Sequence, residues 1–430
     1  MSDLNQTVIT MDDLNLSCQV NSTLAEIEIC KVRRSDQMAV TLLPAILVLC
    51  VIMVVGTVGN CLVFYVYYFK FTPSSARSAI LALACYDLLT CALSIPGEIL
   101  DMRYSYNFDS EEMCRGIRLV TTVILVASGL LLVMVAVDRY QRICHPLGDH
   151  LTASDIWKRT FILFVLAMII AVPTPIIYGL ADIPISEGIH GTECSTNQDY
   201  KNHPLRKAYI IILGLVFLVA FAIMIVIYIL IGRQVLRQKA FRNNVQQRRG
   251  SIVSAGANCR HTLYSGSNED NEPQSLDGMK DSSLLHDKEQ DLKDINSLSA
   301  QNNSVAAKKV LRKPSVLRHL RKISSNRDNR LRKTTMMLFF ITLVFVISFL
   351  PHIILKGVQA LNKNFVQNLS TVGVIFYNIF VRSCFFNTAV NFFVYGTCSP
   401  KFRNECRALI SKLAFWIKRR RASVEVDDIQ

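Results

Sequence analysis

Signatures of catalysis are what this chain most plainly lacks. Its 430 residues contain no HExxH, no GxSxG, no Walker pattern and no CxxC pair. Zinc proteolysis, serine hydrolysis, nucleotide hydrolysis and dithiol exchange have none of their usual footholds, so no enzyme is expected. The eight histidines are scattered, and only His352 falls inside an apolar run. The opening residues MSDLNQTVIT lack a basic region followed by an apolar one, so no cleaved signal peptide is expected. No internal repeat is visible. The formal charge of +14 is accompanied by no aromatic-basic module, so no nucleic-acid partner is expected.

What is abundant is apolar residues, 51% of the chain, and they are clustered. Seven long runs cover roughly 38–69, 77–100, 117–137, 160–180, 208–232, 336–359 and 369–396. Each is long enough to cross about 30 Å of hydrocarbon as a helix. None alternates as the strands of a β-barrel would. The fold expected is an all-α membrane protein, a seven-transmembrane helix bundle followed by a short amphipathic eighth helix.

Charge in the connections sets the orientation. Of the 47 Lys and Arg, 35 fall in 70–77, 139–159, 233–333 and 401–421, all on one side if every run spans. That side is the cytoplasm. Three glycosylation acceptors, Asn5, Asn15 and Asn21, crowd the opposite end, consistent with an extracellular N-terminus at the plasma membrane. The expected organisation is an outer tail at 1–37, a seven-helix domain at 38–396 and a tail at 397–430. Within the domain, 233–335 is a long third inner loop whose Ser-, Asn-, Asp- and Lys-rich middle is expected to be disordered. In the last segment Phe402, Leu409, Leu413 and Trp416 recur near helical spacing beside Lys and Arg, as in a helix lying on the lipid surface.

Several residues interrupt these runs at a cost that invites explanation. Cys114 and Cys194 both fall on the oxidising side, where a disulfide would join the second outer loop to the third span. Cys18 and Cys30 offer a second pairing, with two free thiols as the alternative. Asp87 lies within LALACYDLLTCAL, and a carboxylate at that depth needs a partner inside the bundle. Asn60, Ser128, Asn387, Thr388 and Asn391 are candidates, forming either a site for a hydrated monovalent cation or a satisfied network without one. Asp138, Arg139 and Tyr140 stand where the third span meets the cytoplasm, and Asp138 could hold Arg139 in one rotamer. A snorkelling pair would look the same. In TLVFVISFLPHIILK, Pro351 removes a backbone donor and is expected to kink the helix, with Phe345 and Phe349 one turn apart below it.

Taken in order, GNCLV (59–63), LALACYD (81–87), Cys114 with Cys194, DRYQRICHP (138–146), Tyr228, FVISFLP (345–351) and NFFVY followed by Phe402 resemble the rhodopsin-like (class A) G-protein-coupled receptors, and most closely the neuropeptide receptors. The likeness runs from about 38 to 417. It implies a ligand cavity open to the outside, coupling to a heterotrimeric G protein through movement of the sixth helix, and later contact with arrestin and receptor kinases. It also implies that Arg139 engages the G protein, with Tyr228 and Tyr395 turning inward to support it. Asp87, Ser128, Asn387 and Asn391 resemble the family's sodium pocket; no cofactor is otherwise implied. Phe349 stands where many members have a tryptophan, with Phe345 as the packing switch below.

The departures are specific. Ala220 replaces the proline of the fifth helix, and Phe392 replaces that of the seventh, so a straighter seventh helix is expected there. Leu331 stands where some members carry an acid that locks the arginine. Against the family pattern, Thr121 removes the aspartate that amine receptors use, and Phe385 removes the lysine of opsins.

At the outer end, Glu98 and Asp101, with Glu111 and Glu112 before Cys114, are read as one patch and Arg118, His352, Lys356 and Arg382 as an opposing one. Separated patches suit an extended extracellular peptide, with a lipid or small acid as the alternative ligand. The segment between Tyr178 and Arg206 is long enough for a hairpin cover. Ser251, Ser315, Ser324 and Ser423 follow basic residues in inner segments, and their phosphorylation would weaken attraction to anionic membrane lipid. A rival from another class is a seven-helix transporter or channel, although one buried acid and no paired repeat give it little support.

Overall fold

The computed structural model describes residues 24–186, 188–201, 203–263, 314–362 and 365–427. The expected sites Asn5, Asn15, Asn21 and Cys18 lie outside them. Ser251, Ser315, Ser324 and Ser423 fall on helical backbone, with their side chains outside the described set, as is that of Leu331. Two compact units are present, residues 1–232 with 334–430, and residues 233–333.

The first unit opens with α1 (Leu24–Thr41), α2 (Leu43–Lys70) and α3 (Ser75–Leu89). A π-helical segment, Thr90–Ser94, joins α3 to α4 (Ile95–Arg103) as one span. Next come α5 (Glu111–Cys144), α6 (Ala153–Ala171) and α7 (Thr174–Ile177). The hairpin β1 (Tyr178–Ser186) and β2 (Ile189–Thr196) covers the outer loop. Then follow α8 (Pro204–Leu263), α9 (Pro314–Leu361), α10 (Thr371–Val381), α11 (Phe386–Cys398) and α12 (Pro400–Asp427). Among the described residues six helices are long and apolar enough to cross a membrane, and the pair Thr371–Val381 and Ser383–Cys398, bent by 42°, makes a seventh if it is one span.

Local chemistry fixes the helix ends. The Ser74, Ser110 and Ser370 side chains accept the N–H groups of Arg77, Met113 and Gly373, and Thr152 with Asp155 closes a capping box at α6. At the far end of α2, the Arg77 guanidinium donates to the Tyr67 and Tyr68 carbonyls, both at 2.8 Å. In the apolar stretches of Ser75–Arg103 and Glu111–Cys144, 72% and 56% of residues are buried, against 22% in Pro204–Gln238. The second and third spans thus form the enclosed centre, the right place for costly polar groups.

Three features differ from the sequence reading or refine it. Part of the expected outer tail is helical: α1 is tied down by an Asp36–Arg103 ion pair at 2.7 Å and by Ser35, whose hydroxyl accepts the Tyr106 N–H at 3.0 Å. Helix α9 runs on through Pro351. In the seventh span the break falls at Arg382, while α11 passes Phe392 without interruption. A residue with a backbone N–H at 392 keeps the helix whole, as expected for phenylalanine in place of proline.

Phe392 also sets how close α2 approaches α11. A Cβ placed on Gly59 would lie 2.7 Å from the Phe392 Cβ, closer than atoms pack. Gly59→Val should therefore destabilise the protein by about 1–3 kcal/mol through overpacking. Thermal unfolding in detergent checks this, and adding Phe392→Gly, which removes the Cβ that the new side chain meets, should lessen the added loss. An unchanged melting temperature for the single variant would show that the two helices yield freely.

Candidate functional site

At the outer end a closed ring of ions links three spans. Arg118 donates to Glu98 Oε1 at 2.9 Å and pairs with Asp101 Oδ2 at 3.0 Å. Arg382 donates to Glu98 Oε2 at 2.8 Å and to Asp101 Oδ2 at 3.1 Å. Each carboxylate therefore meets both guanidiniums, and bidentate geometry of this kind repays much of the desolvation cost. The expectation of separated acidic and basic patches is corrected here: Glu98 and Asp101 are consumed by two of the bases. Residues 98, 118 and 382 are distant in sequence, so their pairing is decided only when α4, α5 and the seventh span converge. Arg382 occupies the break of that span and also reaches Asn378 Oδ1 at 2.7 Å.

The hairpin is fastened to this ring. Cys114 and Cys194 form a disulfide across 80 residues, and the Arg118 guanidinium donates to the Cys194 carbonyl at 3.0 Å. Gly188 makes the turn at φ 74°, a conformation suited to glycine. Thr192 exchanges backbone hydrogen bonds with the 106–108 segment, Thr192 N–H to Tyr106 O and Phe108 N–H to Thr192 O, both at 3.0 Å. Burial in the hairpin pushes the Glu193 carboxyl above its ordinary range, against an opposing hydrogen bond with Ser195. Cys194→Ser should cost about 2–5 kcal/mol and loosen the cover. Limited proteolysis within 178–206, together with thermal unfolding, reads this; a variant as resistant as the parent would contradict it.

Beside the ring, His352 Nδ1 contacts the Val381 carbonyl, and Lys356 stands within electrostatic reach of Arg118, Glu98, Arg382 and Asp101. Among the described residues Lys356 has no ion pair. Thr121, one turn from Arg118 on α5, is buried and its hydroxyl has no partner.

At mid-depth the Asn391 amide donates to Asp87 Oδ2 at 2.8 Å. The Asn60 amide bridges the Gly56 and Thr388 carbonyls, each at 2.9 Å, joining α2 to α11. Ser128 and Asn387 are buried in the same bundle but neither bonds Asp87 directly, and the side-chain oxygens of Asn387 and Asn391 lack partners. A carboxylate with spare amide oxygens nearby is a donor set suited to a hard cation.

Below the outer site, the Phe345 and Phe349 rings meet at a tilt of 32°, with centroids 4.2 Å apart. Phe217 and Phe221 of α8 pack on them, with centroids at 5.1 Å for Phe217–Phe349 and 6.0 Å for Phe221–Phe345. Sequence reasoning passed over both. Their spacing of four was visible, but in a wholly apolar run nothing marks the face that turns inward.

At the inner end Arg139 pairs with Asp138, and both are buried. Ser75, also unanticipated, accepts from Arg139 at 2.9 Å and bonds Asp138 at 3.2 Å. Arg142 reaches the other oxygen of Asp138 at 3.1 Å. Tyr228 bonds Thr342 at 3.0 Å, whereas Tyr395 is fully buried against Tyr67 and Phe402 with no hydrogen-bond partner for its hydroxyl. Tyr140 lies edge-on to His145.

Seven apolar spans, a roofed outer face and a buried arginine at the inner end define a heptahelical membrane receptor. The description 7 transmembrane receptor (rhodopsin family) matches residues 59–395, and the chain belongs to that family. The family is one of receptors, and the chain is a multi-pass membrane protein. Relatives include Cephalotocin receptor 2 of Octopus vulgaris, 32% identical over 26% of this chain and 26% of the relative. Nematocin receptor 2 of Caenorhabditis elegans is 26% identical over 48% and 53%, and Neuropeptide FF receptor 2 of Mus musculus 26% identical over 47% and 50%. The matched part thus spans about half of these relatives' length or less.

Proposed function

We propose that this chain is a plasma-membrane receptor, with its N-terminus outside, that binds an extracellular neuropeptide and promotes nucleotide exchange on a heterotrimeric G protein. The observation that carries the reading is the inner triad. Arg139 is held by Asp138 and Ser75 in a buried arrangement that must open before its guanidinium can meet a partner. Such an element has two states, and a ligand can bias it only by binding one of them better. Tyr228 and Tyr395 support the open state, with Tyr140 at the rim. Phe345 and Phe349, beneath Pro351, repack as the sixth span moves.

The remaining roles follow from that reading. Residues 1–37 form the outer tail, 38–396 the receptor domain with its inner insert at 233–335, and 397–430 the surface helix and inner tail. Glu98, Asp101, Arg118, Thr121, His352, Lys356 and Arg382 line the ligand's end of the bundle. Asp87, Ser128, Asn387 and Asn391 hold a sodium ion in the inactive state. Asn5, Asn15 and Asn21 are glycosylated. Basic-directed kinases phosphorylate Ser251, Ser315, Ser324 and Ser423, weakening attraction to anionic lipid, and receptor kinases and arrestin are further partners.

The test is reconstitution of the full chain in lipid with a purified heterotrimer, screened with peptide extracts for nucleotide exchange. Ligand-driven exchange is expected. Substrate flux or current in liposomes free of G protein, with no exchange in the presence of the heterotrimer, would favour a transporter or channel instead.

A further inference from the structure

The ring at the outer end is balanced, and beside it stand donors with no acceptor among the described residues. Glu98 and Asp101 are neutralised by Arg118 and Arg382. The Glu193 carboxyl of the hairpin lies within electrostatic reach of Arg118, Asp101 and Lys201, while Lys356 has no ion pair among the described residues. Arg118 has spent both terminal nitrogens on Glu98, Asp101 and the Cys194 carbonyl, yet its Nε is buried and has no acceptor. One turn along α5 the Thr121 hydroxyl is equally buried and unpartnered. Residues three apart share a helix face, so these two donors belong to one side of α5. Buried donors left unmet carry a desolvation cost, which a suitable acceptor would relieve on binding.

Resting on the receptor reading, we infer that the ligand presents a carboxylate to Lys356, Arg118 Nε and the Thr121 hydroxyl, beside an ion ring that offers no acid to a basic ligand group. The ring holds Arg118 in place, so its Nε and the Thr121 hydroxyl are set before the ligand arrives. Lys356 comes from α9, the helix whose inner half moves in the proposed switch. A carboxylate that draws Lys356 toward α5 would thereby favour one packing of that helix over the other. The anion can be the C-terminus or an acidic side chain of a peptide, or it can belong to a small apolar acid.

The experiment uses the full chain in detergent at fixed ionic strength and follows thermal unfolding against three probes. N-acetyl-phenylalanine carries a free carboxylate, N-acetyl-phenylalaninamide is its neutral counterpart, and octanoate is an acid without a peptide unit. A saturable rise in melting temperature is expected for a carboxylate and not for the amide, since binding to the folded state alone stabilises it. Lys356→Met should weaken the effect at least ~10-fold, the scale of one lost charged hydrogen bond, and Lys356→Arg should restore most of it. Which carboxylate acts tells a peptide terminus from a small acid; either supports the subsite. Equal shifts with the amide, no shift with either acid, or an effect untouched by Lys356→Met would each overturn it. Ligand-driven exchange, assayed in parallel, stands or falls separately. A peptide free of acidic groups that activated the parent and the Lys356→Met variant equally would sink this subsite and leave the receptor reading intact.

Discussion

Arg139→Gln should abolish ligand-stimulated nucleotide exchange while the protein still reaches the membrane and still binds its ligand. Arg139 is buried and spends its terminal nitrogen on Asp138 and Ser75. In the proposed open state the same guanidinium would be free to meet a G protein. Glutamine fills much of the space but carries no charge. A hydrogen bond to a charged group is worth about 1.5–3 kcal/mol. Losing two such contacts at the coupling interface should lower exchange roughly 100-fold or more. Folding should survive because Asp138 keeps Arg142 at 3.1 Å and Ser75 at 3.2 Å, so no uncompensated charge is buried. Binding is read at the far end of the bundle and should change little. If the variant signalled as well as the parent at equal surface density, the switch would lie elsewhere. The complementary change, Asp138→Asn, should raise basal exchange by loosening the clasp.

Glu98→Ala should be the most destabilising single change at the outer end. It strips one acceptor from Arg118 and one from Arg382 and leaves two buried guanidiniums sharing Asp101 alone. Breaking a buried ion pair from one side typically costs about 3–5 kcal/mol. The penalty belongs chiefly to the stranded charge, which makes a further test available. Removing both partners, Glu98→Leu with Arg382→Leu, takes one acid and one base out together and leaves the Arg118–Asp101 pair. That double variant should melt well above Glu98→Ala. If the two melted alike, packing around residue 98 would be the cause, and the ring would have no electrostatic role in stability.

How much of this was legible in advance depends on whether a residue stands out against its own neighbours. Asp87, Asp138, Arg139 and Pro351 are conspicuous because each is expensive in an apolar run, so their importance could be read without knowing the packing. Asn391 was placed beside Asp87 by its position in the last span, and the bond is there at 2.8 Å. Cys114 and Cys194 were joined by compartment, and the hairpin by loop length. Ser75, Thr342, Phe217 and Phe221 could not be found this way, since each is ordinary in its own segment. Helix α1 escaped because its charge-rich, weakly apolar sequence reads as a solvated tail. It is ordered by Asp36 and Ser35, whose partners Arg103 and Tyr106 arrive with another helix.

The outer charges show the limit most clearly. Acids at 98, 101, 111 and 112 and basic groups at 118, 352, 356 and 382 were read as facing patches. Convergence of α4, α5 and the broken seventh span turned four of them into a ring and left Lys356 over. The sequence by itself determined the seven spans and the polar residues worth explaining, because solvation by lipid acts on each segment separately. Only the tertiary structure decided which charges cancel and which donors stay unmet, because pairing depends on ångström distances between residues as many as 284 apart in the chain.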